Sequence, residues 1–373
     1  MTSGDFTTLG GMDRANHAQA RYLAARGGEV HLVAHRVADD LTAFPNVRVH
    51  AVSRPAGAHL AGAPLLAREA RRWSHSLGAS ARTIVNGGNA AGPATWIHYL
   101  HAAHEPRVER PLRSRMSASL GRRYYLARER AVITRAALVI CNSRRTAGDV
   151  QRHYRVADSR LRVVYYGVDA GLFARRTTDE QDSGRAALGI APGRRTAVFV
   201  GALGDRRKGF DTLFEAWQSL AADPAWDVDL LVAGTGGERG AWEQRAAAAG
   251  LDTAIRFLGF RGDIAAVIAA ADVLVHPARY EAYGLGVHEA ICRGVPAIVA
   301  ASAGVAERYP ASLRDLLIPD VDDPGEVALA LRRWREDADA WPARFDPLGQ
   351  SLREISWDVM AAEISTLVEA ASA

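Results

Sequence analysis

HPARYEAYGLGVHEAICRGVP, residues His276 to Pro296, reads as the end of a strand, a loop, a helix and a turn. The strand is the apolar run ADVLVHP, which Pro277 closes. Glu281 lies in the loop, followed by Tyr283 and Gly284-Leu285-Gly286, and Glu289 falls in the first turns of the helix. Gly294-Val295-Pro296 stops the helix before the next strand, AIVA. In a parallel sheet this loop-to-helix junction lies at the carboxyl ends of the strands, where ligands bind. The helix N-terminus offers unpaired N–H groups and a positive dipole end, which suit a phosphate. Two glutamates beside it suit hydroxyls instead, because an ionised carboxylate accepts hydrogen bonds in pairs. Phosphate next to polyol describes a sugar nucleotide. Glutamates eight positions apart arise often by chance. The strand end, the Gly-flanked turn and the G-x-P exit give this pair its weight.

The same alternation runs upstream of the stretch. Strand TAVFVGAL, helix FDTLFEAWQSL, strand DVDLLVAG, the loop Gly234-Thr235-Gly236-Gly237, a helix to about Ala249, strand IRFLGF and helix DIAAVIAAA follow one another. This β-α order predicts a doubly wound parallel sheet. Residues 170–194, rich in Arg, Thr, Asp and Gly, read as a linker. Before them lies a second α/β half. A helix runs from near Asp13 to about Arg26, and Gly27-Gly28 ends it before strand VHLVA. Strand VRVHA, an Arg-rich helix over 63–77, strand RTIVN and strand TWIHYL come next, the last running into HAAHEP. A helical segment from Leu112, strand ALVICNS, a helix capped by Ser143 and strand LRVVYYGVD complete this half. A last helix over 356–370 carries Val359, Ile364, Leu367 and Val368 as an apolar stripe. The chain has 373 residues, enough for two domains. The expected divisions are 1–170, 171–350 and a C-terminal helix in 351–373.

Composition is that of an ordinary globular protein, 48% hydrophobic and 24% charged. No apolar run reaches bilayer length and no signal peptide is visible, so a cytoplasmic location is expected. Cys141 and Cys292 fall in apolar elements and indicate no disulfide framework. A net charge of +4 does not by itself imply nucleic acid, and no nucleic-acid partner is expected. Of 46 Lys plus Arg, one is lysine, Lys208, in VFVGALGDRRKGFDTLFEAW. A single stray lysine needs no special reason. Its place does suggest one: it follows a strand by a loop and precedes a helix that Gly209 opens. A compact point charge there suits a phosphate better than the wide fork of Arg.

The stretch 276–296 resembles the donor-binding motif of retaining glycosyltransferases of family 4. These have the GT-B fold, two Rossmann-like doubly wound parallel-sheet domains facing across a cleft, with a C-terminal helix crossing back to the first. The resemblance extends over Gly10-Gly11, His101, Gly201 to Gly209, the Gly234 loop, Phe260-Arg261 and Glu281 to Pro296. It implies an acceptor-binding first domain and a nucleotide-sugar-binding second one. Lys208 would hold the donor diphosphate, Glu281 the donor sugar and Glu289 the ribose. The backbone near Phe260-Arg261 would meet the base and the Gly284-Leu285-Gly286 backbone the phosphates and sugar, with Tyr283 in the same donor-binding set. Gly10-Gly11 match the loop that approaches donor or acceptor, although two glycines also make a plain tight turn. His101, expected at a strand end, matches a histidine that contacts the transferred sugar. A structural histidine is the alternative for His98, His101 and His104, and the preferred one for His98.

Three departures stand out. Ala202 occupies the position of a diphosphate-binding Arg, for which Arg206 or Arg207 would substitute. Tyr166 stands where the family has Asn before Gly167-Val168-Asp169. The opening strand is almost missing, which suggests a start codon assigned too late or a sheet that has lost a strand.

The implied activity is retaining, hexosyltransferase-like transfer from a nucleotide-diphosphate sugar to an acceptor hydroxyl. No Asp-x-Asp in a metal context and no enzymic nucleophile is visible, so neither metal nor cofactor and a front-face route are expected. A GT-B sugar-nucleotide epimerase and a non-catalytic sugar-nucleotide-binding scaffold are the alternatives. A pyridoxal-phosphate phosphorylase would need a lysine outside the phosphate loop. A dinucleotide oxidoreductase would need G-x-G-x-x-G after the first strand. The acceptor is unreadable. The basic segment 107–135 reads as a solvated face or as a peripheral contact with anionic lipid at the inner membrane face.

Overall fold

The computed structural model describes residues 1–78, 80–105, 112–204 and 206–371, with the backbone alone over 112–118. The chain forms two compact units. One holds residues 1–105, 112–167 and 355–371; the other holds Val168–Glu354.

The second unit carries one parallel sheet of six strands. Its spatial order is Ile255–Gly259, Val228–Ala233, Arg195–Val200, Val273–His276, Ala297–Ala300 and Leu317–Ile318. Numbered along the chain, this is 3-2-1-4-5-6, the doubly wound dinucleotide-fold order. The run VLVH is buried at every position, as in a parallel strand covered on both faces. The order reverses between Arg195–Val200 and Val273–His276, so the loops after these two strands open at the same point.

The segment expected to be a linker is not one. Thr178–Ala187 is a helix of the second unit, closed by a capping box in which Thr177 accepts from Glu180 N–H and the Glu180 side chain accepts from Thr177 N–H. Gly184 lets it lie close against Ile264–Ala270, where an added Cβ would stand 3.1 Å from Ala270 Cβ. Arg176 ties the segment down by donating to Ala269 O at 2.6 Å and to Ala271 O.

In the first unit, Val30–Ala34 pairs with Val47–Ala51, and Ile84–Asn86, Ala94–Ile97, Leu138–Cys141 and Leu161–Val163 follow in parallel order. The opening strand is present, against expectation. Thr2 bridges in parallel to Val33 on one side and Val85 on the other. Asp5–Phe6 then pairs with Arg36–Val37. Its polar sequence hides it: the strand is held by backbone bonds, and buried Asp5 is met by Arg36 and Arg54, each at 2.7 Å. The last helix, Trp357–Ala370, belongs to this unit, and Gln19 from Gly11–Ala25 donates to Ser365 Oγ at 3.0 Å and Ala361 O at 3.3 Å. Its buried stripe is Met360, Ala361, Ile364 and Val368, while Val359, expected inside, is exposed.

Candidate functional site

Two loops meet at the switch point of the second unit. The first follows Arg195–Val200 and turns at Arg206, which adopts a left-handed φ of 51°. It ends at Gly209, which caps helix Phe210–Ala221 at φ 70°. Glycine is required there twice over. An L-residue resists that φ, and a Cβ would lie 1.9 Å from Pro277 O of the second loop.

Arg279 stitches the two loops together. Its N–H donates to Arg207 O at 2.9 Å. Its guanidinium donates to Arg206 O at 2.5 Å, Asp211 at 2.6 Å, Thr212 Oγ1 at 2.8 Å and Asp322 at 2.5 Å. Arg207 reciprocates by donating to Tyr280 O at 3.2 Å.

This clamp brings Lys208 and Glu281 into an ion pair. His276, the last residue of its strand, bonds the same Glu281 Oε2 through Nε2 at 2.9 Å. Burial alone would raise the Glu281 pKa, but Lys208, His276 and Arg207 outweigh it and hold the carboxyl well below its usual range. Burial and the Lys208 charge push His276 below its ordinary value, against the opposing pull of Glu281. Ala202, Arg206 and Lys208 line one small recess beside this pair.

Gly284 caps the helix Leu285–Cys292 at φ 111°, where a Cβ would meet Val305 Cγ1 at 2.9 Å. The first N–H groups of that helix, at Leu285 and Gly286, have no acceptor within it. Glu289 sits one turn further in and is 3% exposed. Tyr283 is the exception to the expected donor set. Its ring is buried and its hydroxyl bonds His288 Nδ1 at 2.7 Å, so it props the loop from inside. Gly234 lies against the first loop: at φ 157° its added Cβ would stand 1.8 Å from Gly201 O. Phe260 is 67% exposed after the edge strand Ile255–Gly259, and Arg261 pairs with Asp263 at 2.5 Å.

The remaining expected residues lie in the first unit. Gly10 caps helix Gly11–Ala25 at φ 81° with open space around it, so conformation rather than crowding selects glycine. His101 is not on a strand. The strand ends at Ile97, and His101 opens a 3-10 turn, His101–Ala103. Buried Glu129 fixes that turn by accepting from His101 N–H at 2.7 Å and Ala102 N–H at 3.2 Å, and it bonds His101 Nδ1 at 2.9 Å. The ring stacks on Tyr125, centroids 5.0 Å apart. His98 is structural. It is buried against Trp96 and bonded to the Tyr166 hydroxyl, and burial lowers its pKa to about 3. Tyr166 therefore has a clear consequence: it also accepts from Asn142 Nδ2 at 3.1 Å, closing a buried polar cluster.

Three residues of these clusters are not evident from motif spacing. His276 and Arg279 lie inside the opening stretch, and a histidine at a strand end five residues before Glu281 is a usable signal. For Glu129, one acid in an Arg-rich helix, nothing in the sequence marks it as the buried one.

Residues 194–337 match the family model described as glycosyl transferases group 1, and residues 9–172 match that described as glycosyltransferase family 4. D-inositol 3-phosphate glycosyltransferase of Corynebacterium urealyticum is 30% identical over 247 residues, which are 64% of this chain and 58% of that protein. The chain thus spans somewhat over half the length of that curated relative. Among solved structures, WaaG, a glycosyltransferase involved in lipopolysaccharide biosynthesis, superposes with a TM-score of 0.79 at 20% identity over 98% of each chain. Anabaena Alr3699/HepE in complex with UDP-glucose superposes with a TM-score of 0.73 at 18% identity, covering 99% of this chain and 98% of that one. These likenesses show the GT-B fold. With the two family models together spanning most of its length, the chain belongs to the group 1, family 4 glycosyltransferases.

Proposed function

We propose that the chain moves a glycosyl group from a nucleotide-diphosphate sugar to an acceptor hydroxyl, with retention of configuration and without a metal ion. One observation carries the reading: Lys208 and Glu281 meet between two helix N-termini at the switch point of the second sheet. A diphosphate there meets helix N–H groups and Lys208. It competes with Glu281 for that lysine, and the carboxylate, still held by His276, turns to the donor-sugar hydroxyls. Glu289 then takes the ribose, the backbone near Phe260-Arg261 the base, the Gly284–Gly286 backbone the phosphates, and His101 the transferred sugar. Charge develops on the leaving diphosphate. A preorganised donor such as Lys208 is worth roughly 3 kcal/mol in such a transition state. With no enzymic nucleophile proposed, the acceptor attacks from the face the diphosphate leaves. Family membership supports this reading, as does the likeness to a protein crystallised with UDP-glucose.

A cytoplasmic location and a peripheral contact with anionic lipid through 107–135 belong to the same reading. No helix among the described residues is long and apolar enough to cross a membrane. Residues 107–111 of that segment lie outside the described ones. Its described part carries Arg122, Arg123, Arg128 and Arg130, with Leu120 exposed.

The test is a thermal-shift panel of UDP-, GDP-, ADP- and dTDP-sugars on wild type and Lys208→Ala, with and without EDTA. One nucleotide class should raise Tm in EDTA, and Lys208→Ala should lose most of the rise. A ligand at about 100 times its Kd adds roughly 2.7 kcal/mol, well within reach of the method. No shift from any donor, or an inverted product linkage by NMR, sinks the reading.

A further inference from the structure

Glu129 is a buried carboxylate, 2% exposed, to which the sugar-transfer scheme gives no part. Its two oxygens face four groups. Oε1 accepts from Ala102 N–H at 3.2 Å and from the Tyr154 hydroxyl at 2.5 Å. Oε2 accepts from His101 N–H at 2.7 Å and meets His101 Nδ1 at 2.9 Å. The two backbone N–H groups are donors only. Tyr154 is a donor as well, because burial and the bond to Glu129 raise its pKa and the hydroxyl keeps its proton. A carboxylate met by three such donors accepts at its fourth contact too. Nδ1 of His101 therefore carries the hydrogen.

Both partners of this bond are held from outside. Tyr125 stacks on the His101 ring with planes 6° apart, and Tyr99 meets it edge-on with centroids 5.0 Å apart. A Cβ at Gly88 would stand 3.2 Å from Glu129 Cα, so the loop Gly87-Gly88-Asn89 presses on helix Leu112–Ile133 at this residue. The neighbouring Arg128 donates to Asn89 O at 3.1 Å. Nε2 of His101 has no partner among the described residues, and the side chain is 41% exposed. One ring nitrogen is thus fixed by a buried carboxylate and the other left open.

In a neutral imidazole with its hydrogen on Nδ1, Nε2 is a lone-pair acceptor. Positive charge builds on a sugar ring as its anomeric leaving group departs. A sugar hydroxyl that donates to Nε2 becomes richer in electrons and favours that charge, whereas an Nε2–H donor would oppose it. We propose that Glu129 is a positioning residue for sugar transfer. It holds the His101 ring in one tautomer and one orientation, so that Nε2 accepts from a hydroxyl of the transferred sugar. The role rests on the reading that places the transferred sugar at His101.

Two measurements on the full chain test it separately. The first needs no substrate. NMR of the protein carrying isotope-labelled histidine, with His101→Gln to assign the resonance, reads which ring nitrogen bears the hydrogen. It should be Nδ1. The second is release of nucleoside diphosphate from UDP-, GDP-, ADP- and dTDP-glucose with water as acceptor. Glu129→Gln should lower kcat roughly ten-fold or more, the effect of one misplaced hydrogen bond to a developing charge, with KM for the donor unchanged. On a His101→Gln background Glu129→Gln should cost nothing further, because a positioning residue acts only through the group it positions. Tyr154→Phe spares both His101 bonds and should lower Tm while leaving kcat near wild type. Losses in kcat that multiply in the double variant, or a Tyr154→Phe loss equal to that of Glu129→Gln, mean that Glu129 only supports packing and overturn the proposal. Nε2–H at His101 in an active wild type also overturns it and leaves the sugar-transfer reading standing. A wild type with Nδ1–H that releases nothing from any of the four donors overturns that reading, and the role of Glu129 with it.

Discussion

Lys208 and Glu281 neutralise each other across two loops, with side chains 17% and 14% exposed, and His276 shares the same carboxylate oxygen at 2.9 Å. A pair this dry is costly to split. Removing one partner of a buried pair strands the other charge and costs about 3–5 kcal/mol, whereas removing both costs far less. Lys208→Ala should therefore destabilise the second unit by a few kcal/mol, and Lys208→Ala with Glu281→Ala should recover much of that loss. Urea unfolding of the three variants measures it; additive single effects would show that the pair is not coupled. The acid side follows by sign. The folded Glu281 pKa is depressed, so its contribution is complete above the unfolded value near 4.5 and fades as pH falls through the lower folded one. Lys208→Ala should flatten that acid limb.

His98 and His288 give a second, higher pH window. Burial lowers both from 6.5 to about 3, so the unfolded chain takes up protons that the folded chain refuses. Stability is then full above pH 6.5 and is lost as pH falls toward about 3. The loss is on the order of 2 kcal/mol per histidine between about pH 7 and pH 5. His98→Gln keeps a polar partner for the Tyr166 hydroxyl and should remove one proton from the slope of stability against pH. An unchanged slope would mean that His98 titrates normally in the folded chain.

The second unit is the more legible one because most positions of its strands are apolar and its clearest helix is strongly patterned, as in VLVH and FDTLFEAWQSL. Lys208 is legible from rarity and Glu281 from its surroundings. What cannot be read is tertiary. Residues 1–6 take part in the sheet through backbone bonds, Thr2 N–H to Ile84 O at 2.9 Å and Asn86 N–H to Thr2 O at 2.8 Å, and backbone bonds leave no periodicity. Tyr283 looks like a loop ligand until His288 is seen to claim its hydroxyl. Helix Thr178–Ala187 is a different failure. Its capping box stands in the sequence as Thr177-x-x-Glu180, but its polar composition reads as linker.

Close approach of the loops makes a graded prediction for glycines. Gly209→Ala and Gly234→Ala would each put a Cβ under 2 Å from a carbonyl oxygen, Pro277 O or Gly201 O, at a positive φ. Gly10→Ala meets the same kind of φ, 81°, with open space. The last should cost about 1 kcal/mol, a conformational penalty alone. The first two should cost several times more and abolish nucleotide binding, because backbone must shift for them to fit. Equal Tm losses at the three positions would show that the two loops part easily.

Ala202 offers the one substitution expected to improve the site. It is exposed, and it lines the same recess as Arg206 and Lys208. An Arg there would restore the family's second cation on the diphosphate without disturbing the core. A hydrogen bond to a charged group contributes about 1.5–3 kcal/mol, so Ala202→Arg should tighten nucleoside-diphosphate binding by roughly ten-fold or more. The gain should shrink at high salt, since a diphosphate contact at an exposed position is screened. Titration of UDP and GDP at low and high ionic strength checks both points. Unchanged affinity would indicate that Arg206 or Arg207 already fills the role. Weaker affinity would indicate that the diphosphate does not lie over this recess, which would move the donor site away from Lys208.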